Sequence, residues 1–554
     1  MITHIRIQNL RSLVDTGFIE IKPLTILLGA NSSGKSTFLR SFPLFTQSVN
    51  KSLREPISWF DDAYVDFGDF DTAKSQMAKD GEGIKFLYKI NTPLSVAPKL
   101  FIMGDRIDRY QNANPYLVMP KSTIAISFMK DNKGTFVNNI TIEKGDMNVV
   151  LKFVDRNSVD FLVNSEPIFE NAKWKWFHGS RRKLIPEFEP QIKQEIIYTI
   201  ENMIEEYAYE CICRYCSKKL KHIDRLEKII YNWSSIKEEF LCFLTDVKGL
   251  ATLQNNAKSW TINSKGFKEI YNALALYHTI TNLDNFDEEL KSMYGNCSYI
   301  APMRAAANRY YRTQGLQVRD VDPYGKNLQE FISSLSGNRE KSYRIFTNKV
   351  LGLEVLVRNN AGHQQIVLSK NGKEVNLADV GFGYSQILPI VTKLWHSNYV
   401  NMDDKRSNYT MRTNIVDTLL IEQPELHLHP AMQARTADIM MLILNEIDAM
   451  NEQRRNNKNN KNRFWFFMSH LSKMIVETHS QAMINRIGRR IRDNQFSSDN
   501  VSILLFEKDA KTGVTNIRKI EFNDKGQLTN WPYGFFEPTD DYDILFDRQS
   551  QNKG

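Results

Sequence analysis

Apolar and polar positions divide this chain into three stretches with different periods. Near the start, Ile2 to Asn9 alternates, with Thr3, Ile5 and Ile7 set against His4, Arg6 and Gln8. That is the pattern of a half-buried strand, and Phe18-Ile19-Glu20-Ile21 reads as its hairpin mate. Leu24-Thr25-Ile26-Leu27-Leu28 is apolar throughout and reads as a third, fully buried strand. From Gly83 to about Leu162 the runs Ile84 to Ile90, Thr123 to Phe128, Asn138 to Glu143 and Val149 to Phe153 are strand-like, and Gly, Asn and Asp separate them. This predicts an antiparallel sheet.

The spacing turns helical between about Leu184 and Leu290. Ile192-Ile196-Ile200-Ile204 and Leu226-Ile229-Ile230-Trp233 recur every three or four residues and predict a mainly helical insertion. Apolar strands then return at Tyr299-Ile300, Leu419-Leu420-Ile421 and Met474-Ile475-Val476, and Val501 to Phe506 with Asn516 to Phe522 completes a sheet. Asn451 to Arg463 is basic, low in complexity and free of apolar residues, so a mobile loop is expected there. Trp59 to Phe70 reads as a loop of aromatic and acidic character. The expected fold class is α/β, with an N-terminal lobe over 1–170, the helical insertion over 171–298 and a C-terminal lobe over 299–554.

Composition narrows the function classes. A chain of 554 residues with 42% hydrophobic content has ample core for more than one domain. Its 72 Lys and Arg exceed its 64 Asp and Glu, giving a net charge of +8. That mild excess permits nucleic-acid contact without demanding it. No apolar window is long enough to span a bilayer and no secretory leader is evident, so no membrane role and a cytoplasmic location are expected. Five cysteines, an odd number, fit a reduced compartment.

The chemistry begins directly after the third strand, at Gly29-Ala30-Asn31-Ser32-Ser33-Gly34-Lys35-Ser36-Thr37. A strand entering G-x-x-x-x-G-K-S and leaving as a helix is the layout of a phosphate-binding loop. The glycines allow a tight turn of inward N–H groups, Lys35 supplies charge for the β- and γ-phosphates, and Ser36 is placed to ligate Mg²⁺. Gln47, near the end of the following helix, is a further candidate for the Mg²⁺ or its water. The strand ending in Ile421-Glu422-Gln423-Pro424-Glu425 puts Glu422 beside the loop as a second metal ligand, because acids at the tip of a buried strand are costly without a cation. His479, at the tip of the Met474-to-Glu477 strand, reads as a γ-phosphate sensor.

Gly381-Phe382-Gly383-Tyr384-Ser385-Gln386, at the start of a helix, forms a second candidate anion site through Gly381, Gly383, Ser385 and Gln386. Arg304 and Arg309 follow a strand and suit either phosphate or a structural ion pair. Cys211, Cys213 and Cys216, with His222 nearby, invite a zinc reading. They lack a second ligand pair at finger spacing and fall on one predicted helix.

Taken together, these motifs resemble the ABC-type ATPase heads of the RecF, SMC and OLD lineage. Gly29 to Thr37 is similar to Walker A, Gly381 to Gln386 to a variant signature, Leu419 to Glu425 to Walker B, and His479 to the switch histidine. The resemblance covers roughly 1–170 and 300–540. Tyr64-Val65-Asp66-Phe67-Gly68, Ile421 to Pro430, Glu477-Thr478-His479-Ser480 and Trp531-Pro532-Tyr533-Gly534-Phe535-Phe536 narrow it further. They resemble a bacterial group of stand-alone OLD-like ATPases similar to PtuA of Septu-type and retron-associated antiphage systems.

That resemblance implies an ABC head with a mixed sheet and a flanking antiparallel β lobe, ATP and Mg²⁺ as cofactors, and a homo-oligomer. It further implies an HNH nuclease partner like PtuB, with a retron reverse transcriptase and its multicopy DNA as additional partners. Glu422, Gln423, Glu425 and His479 are the implied catalytic positions. Two departures stand out. Gln423 occupies the place where such heads carry a water-polarising glutamate, so hydrolysis should be slow unless Glu425 or Glu477 substitutes. The signature also lacks the usual Ser-Gly-Gly order.

About 75 residues follow His479, fewer than a nuclease domain usually occupies, so cutting is expected from another chain. A repair ATPase binding DNA directly is the alternative, yet no heptad pattern persists beyond a few turns. A transporter subunit conflicts with the roughly 345 residues between Lys35 and Gly381.

Overall fold

In a computed structural model the described residues are 2–51, 53, 55–90, 121–178, 183–193, 196–217, 223–312, 318, 320–360, 362–403, 418–456 and 473–531. The chain forms two compact units, one of residues 1–20 and 40–296, the other of 21–39 and 297–554.

The first unit is built on a nine-stranded sheet. Ile84–Ile90, Ser122–Asp131, Gly134–Lys144, Met147–Asp155, Ser158–Val163 and Glu166–Lys173 each pair antiparallel with the next. Ile84–Ile90 also pairs with Ile2–Leu10, which holds both Leu13–Asp15 and the expected mate, here Ile19–Glu20. Alternation carries Ile84, Phe86, Tyr88 and Ile90 to one buried face. There Phe45 packs edge-on to Phe86 and stacks on Tyr294, whose hydroxyl meets that of Tyr88 at 2.7 Å. Offset and edge-on ring pairs of this kind add to the area they bury.

The insertion is helical as expected, with Ile200–Cys213, Ile223–Tyr231, Lys237–Asp246, Ala251–Ala257 and Lys265–Gly295 closing on a core of Ile212, Ile229, Phe240, Phe267, Tyr271 and Leu274. Its start differs from the sequence expectation. Ile192 and Ile196 belong to a hairpin of Gln191–Lys193 and Ile196–Tyr198, in which Ile192 opposes Ile197. The i, i+4 spacing there coincides with a β-branched run that favours strand. The helix begins only where Thr199 and Asn202 cap it reciprocally, each side chain accepting from the other's backbone N–H. The cysteines are corrected too. The helix ends at Cys213, so Cys216 lies beyond it; Cys211 is buried, Cys213 exposed, and none of the five cysteines is joined in a disulfide. His222 lies outside the described residues.

The second unit carries a seven-stranded sheet in the order Cys297–Ile300, Thr418–Glu422, Lys473–Glu477, Leu24–Gly29, Val501–Lys508, Thr515–Phe522, Leu528–Thr529. Its first five strands are parallel and the last two are antiparallel additions. Parallel strands covered on both faces need apolar residues at nearly every position. Accordingly Leu24–Gly29, Thr418–Glu422 and Lys473–Glu477 are buried from end to end. Helices Phe382–Asp403, Pro430–Asn456 and Gln481–Arg492 contribute to the same core through Ile387, Leu388, Val391, Met440, Ile443, Met483 and Ile487.

The fold class is therefore α/β, with a mixed sheet bearing the phosphate loop, an antiparallel sheet and a helical insertion. A further sheet of Tyr311–Arg312, Glu354–Asn360, His363–Lys370 and Lys373–Asn376 was not among the sequence expectations. Residues 451–456, expected in a mobile loop, are helical, because Glu452, Gln453 and Arg454 are good helix formers that prolong the preceding helix. Residues 457–463 and 532–536 of the sequence reading lie outside the described residues. No helix among the described residues is long and apolar enough to cross a membrane.

Candidate functional site

The site lies in the second unit, at the carboxyl ends of three neighbouring parallel strands, where open α/β sheets place their ligands. In register, Leu27 opposes Glu477 and Glu477 opposes Glu422. Three chain segments remote in sequence thus reach the same edge together.

The loop leaving Leu24–Gly29 is shaped by close approach. A Cβ on Gly29 would lie 2.3 Å from the Phe506 carbonyl and 2.7 Å from Ser33 Oγ, so only glycine fits. Ser32 and Gly34 take positive φ of 60° and 97°, the backbone of a tightly wound anion nest. Ala30, Asn31 and Ser32 are exposed at the crown, while Ser33 is buried. The Ser33 carbonyl accepts from Thr515 Oγ1 at 2.9 Å, which anchors the loop to an outer strand. The Ser33 hydroxyl has no hydrogen-bond partner among the described residues.

Lys35, Ser36 and Thr37 open the helix Lys35–Val49. Lys35 Nζ donates to the carbonyls of Gly29 at 3.0 Å and Ala30 at 2.7 Å, bracing the loop across its own mouth. Burial pushes its pKa down, opposed by the charges of Glu477 and Glu425. Ser36 Oγ donates to Glu477 Oε1 at 2.9 Å. The candidate metal hydroxyl is therefore paired with a carboxylate that sequence reasoning had treated only as a substitute base. The signal was present, since two apolar strands both end in Glu, but the pairing depends on a register that only the sheet supplies.

Glu422 is almost fully buried and accepts from Tyr299 Oη at 2.8 Å. Gln423 follows with φ of 43°, a left-handed conformation that non-glycine residues adopt under constraint. Its N–H donates to the Glu477 carbonyl at 2.8 Å. Glu425 accepts from Thr478 Oγ1 through Oε2 and from the His479 N–H through Oε1, both at 2.7 Å. Burial raises its pKa. His479 is held with its proton affinity lowered by burial and by the charge on Lys35. Its Nε2 is buried without a hydrogen-bond partner among the described residues, so a neutral ring presents one unused nitrogen.

Two expectations meet other contacts. The Gln47 amide, expected at the cation, is fully engaged within its own unit. Nε2 donates to Ser58 O at 2.5 Å and Val65 O at 3.3 Å, and Oε1 accepts from Val65 N at 3.2 Å. It clasps the aromatic–acidic loop instead of a cation. In the Gly381–Gln386 segment, Gly381 is exposed with φ of 83° and Gly383 is partly exposed, whereas Ser385 and Gln386 are buried. Ser385 Oγ donates to Phe382 O at 2.7 Å and Gln386 Nε2 to Arg304 O at 3.2 Å, so both side chains face their own fold. The exposed Phe382 ring sits edge-on to His427 at 4.9 Å.

Arg304 and Arg309, left open by sequence, separate clearly. Arg309 pairs with Asp379 on the surface. Arg304 is buried, and its Nη2 donates to the carbonyls of Glu422 at 2.9 Å and Gln423 at 3.1 Å.

Ser36 Oγ and the Glu477 carboxylate, with Glu422 at the neighbouring strand end, offer hard oxygens of the kind Mg²⁺ takes. Among the described residues no group of three or more His, Cys, Asp or Glu could hold a metal. The loop, Lys35 and Ser33 would hold the nucleotide phosphates. A bound Mg²⁺ would supply charge neutralisation at the phosphates.

Residues 1–484 match the family model AAA_15, described as an AAA ATPase domain. Residues 497–547 match a family described as a protein of unknown function (DUF3696). No curated protein matches this chain. Among solved structures, the Smc head domain with an extended coiled coil bound to the C-terminal domain of ScpA, from Pyrococcus furiosus, is similar at 12% identity, covering 94% of this chain and 96% of that one with a TM-score of 0.29. The SmcHead bound to the C-winged helix domain of ScpA gives 10%, 94%, 97% and 0.31. The SMC head domain from Thermotoga maritima gives 9%, 93%, 98% and 0.30. With TM-scores this low, the fold assignment rests on the sheet order and loop described above.

Proposed function

The chain belongs to the AAA ATPase domain family, and from that premise we propose that it is an ABC-type head that binds Mg·ATP, hydrolyses it slowly, and closes over it as a pair of copies to control a separate nuclease. The observation that carries this reading is the convergence of Lys35, Ser36, Glu422, Glu477 and His479 on one sheet edge, with an amide at Gln423 where a general base would be expected. Lys35 and the loop bind phosphate, Ser36 with Glu422 and Glu477 hold the cation, and Glu425 orients His479. Gln423 can orient a water through its amide but cannot take its proton.

Pairing is supported by the Gly381–Phe382 tip, an exposed helix start whose large apolar ring is about half open to solvent. The antiphage role, with an HNH nuclease like PtuB and a retron reverse transcriptase and DNA as further partners, rests on the sequence phrases quoted above. An HNH reading frame beside this gene would support it. Direct DNA binding by a long-armed repair head is less well supported. The longest helix among the described residues, Lys265–Gly295, packs into the first unit's own sheet and insertion core instead of projecting as a coiled coil.

Sedimentation velocity is the test. Wild type with Mg²⁺ and ATP should shift to the mass of two copies, and with Mg²⁺ alone should not. An unchanged mass at saturating ATP would contradict pairing.

A further inference from the structure

Arg304 joins two parts of the site that the proposed chemistry uses separately. Its backbone is pinned, because Ala301 N donates to Pro323 O at 2.9 Å and Ala305 N to Tyr324 O at 2.8 Å on either side of it. Its side chain is 5% exposed and reaches the Glu422 and Gln423 carbonyls through a single nitrogen, Nη2. In the other direction its own carbonyl accepts from Gln386, which is 1% exposed and rooted in the helix that begins at Phe382.

Gln423 is the residue in the left-handed turn, and its N–H continues the chain of bonds to the Glu477 carbonyl, while the Glu477 carboxylate accepts from Ser36. A continuous run of packed, hydrogen-bonded groups therefore links the exposed Gly381–Phe382 tip to the phosphate loop. Chains of this kind carry coupling when one element has two arrangements. Nε and Nη1 of Arg304 remain buried without hydrogen-bond partners among the described residues. A side chain placed only for stability would be expected to satisfy them.

We infer that Arg304 is a positioning residue: it holds the Glu422–Gln423 turn in its left-handed form and ties that turn to Gln386, so that whatever engages the Gly381–Phe382 tip also sets the geometry at position 423. One guanidinium nitrogen, Nη2, bridges the two successive carbonyls while the charge faces Glu422 and Glu425. A lysine keeps the charge but carries it on a flexible stem without the planar group that fixes where that donor sits. This inference rests on the ATPase reading of the site.

The experiment measures affinity for a fluorescent ATP analogue and the single-turnover hydrolysis rate in wild type, Arg304→Gln, Arg304→Lys, Gln386→Ala and the double variant Arg304→Gln with Gln386→Ala. Expected is a fall in rate of about 10-fold for Arg304→Gln with affinity held within about 3-fold, partial recovery in Arg304→Lys, and a double variant no slower than Arg304→Gln alone. If Arg304→Gln does not fold, Gln386→Ala decides, with a rate several-fold below wild type at unchanged affinity. Rates unchanged in Gln386→Ala, or additive losses in the double variant, overturn the coupling and leave the ATPase reading standing. A wild type that binds no ATP overturns both.

Discussion

Replacing Lys35 with alanine is expected to weaken ATP binding by about 10- to 100-fold, the range set by losing one charge-assisted hydrogen bond of roughly 1.5–3 kcal/mol. The Lys35 ammonium is buried, donating to two loop carbonyls while facing the charges of Glu425 and Glu477. Alanine would remove the phosphate charge and unbrace the loop mouth together. Equilibrium titration with a fluorescent ATP analogue checks this, with thermal melting to confirm that the variant is folded. A folded variant with wild-type affinity would exclude Lys35 from the phosphate site.

The second large effect is a gain. Gln423→Glu should raise the single-turnover rate by about 100-fold, the lower range for supplying a positioned general base. The backbone at 423 is held by Arg304 and by the Glu477 carbonyl, so the change alters the side chain's chemistry without releasing the turn. Rapid-quench measurement of bound ATP would show it. A wild type that is already fast, and that Gln423→Glu leaves unchanged, would place the base elsewhere. Glu425 is then the weaker candidate, since both of its oxygens already accept hydrogen bonds from Thr478 and His479.

The parts of the site legible in the sequence were those that depend on local backbone. Gly29 to Thr37 announces itself because strand, turn and helix follow one another without a break. The apolar runs ending in Glu422 and Glu477 could hardly be anything but buried strands. The Ser36–Glu477 bond was not legible, because it depends on which strand lies beside Leu24–Gly29, a matter of sheet order. Gln47 misled for the opposite reason: its residue type fits a cation, yet the backbone of Ser58 and Val65 offers its amide three hydrogen bonds.

In the fold, the alternating strands from Ile84 onward were clear, since a one-residue slip would have turned every apolar residue outward. Ile192 and Ile196 were misread because their four-residue spacing spans a tight hairpin: they sit on two different strands, Gln191–Lys193 and Ile196–Tyr198, whose β-branched residues favour strand. The sheet formed by Glu354–Asn360, His363–Lys370 and Lys373–Asn376 went unnoticed because Arg358, Asn359, Gln364 and Gln365 dilute its alternation.

The measurement closest to the central claim is equilibrium binding of ATP as Mg²⁺ is titrated. The account predicts one saturable site per chain whose affinity rises with Mg²⁺, and whose Mg²⁺ dependence is lost in Ser36→Ala while binding of ATP alone persists. No binding, or binding indifferent to both Mg²⁺ and Ser36, would contradict it.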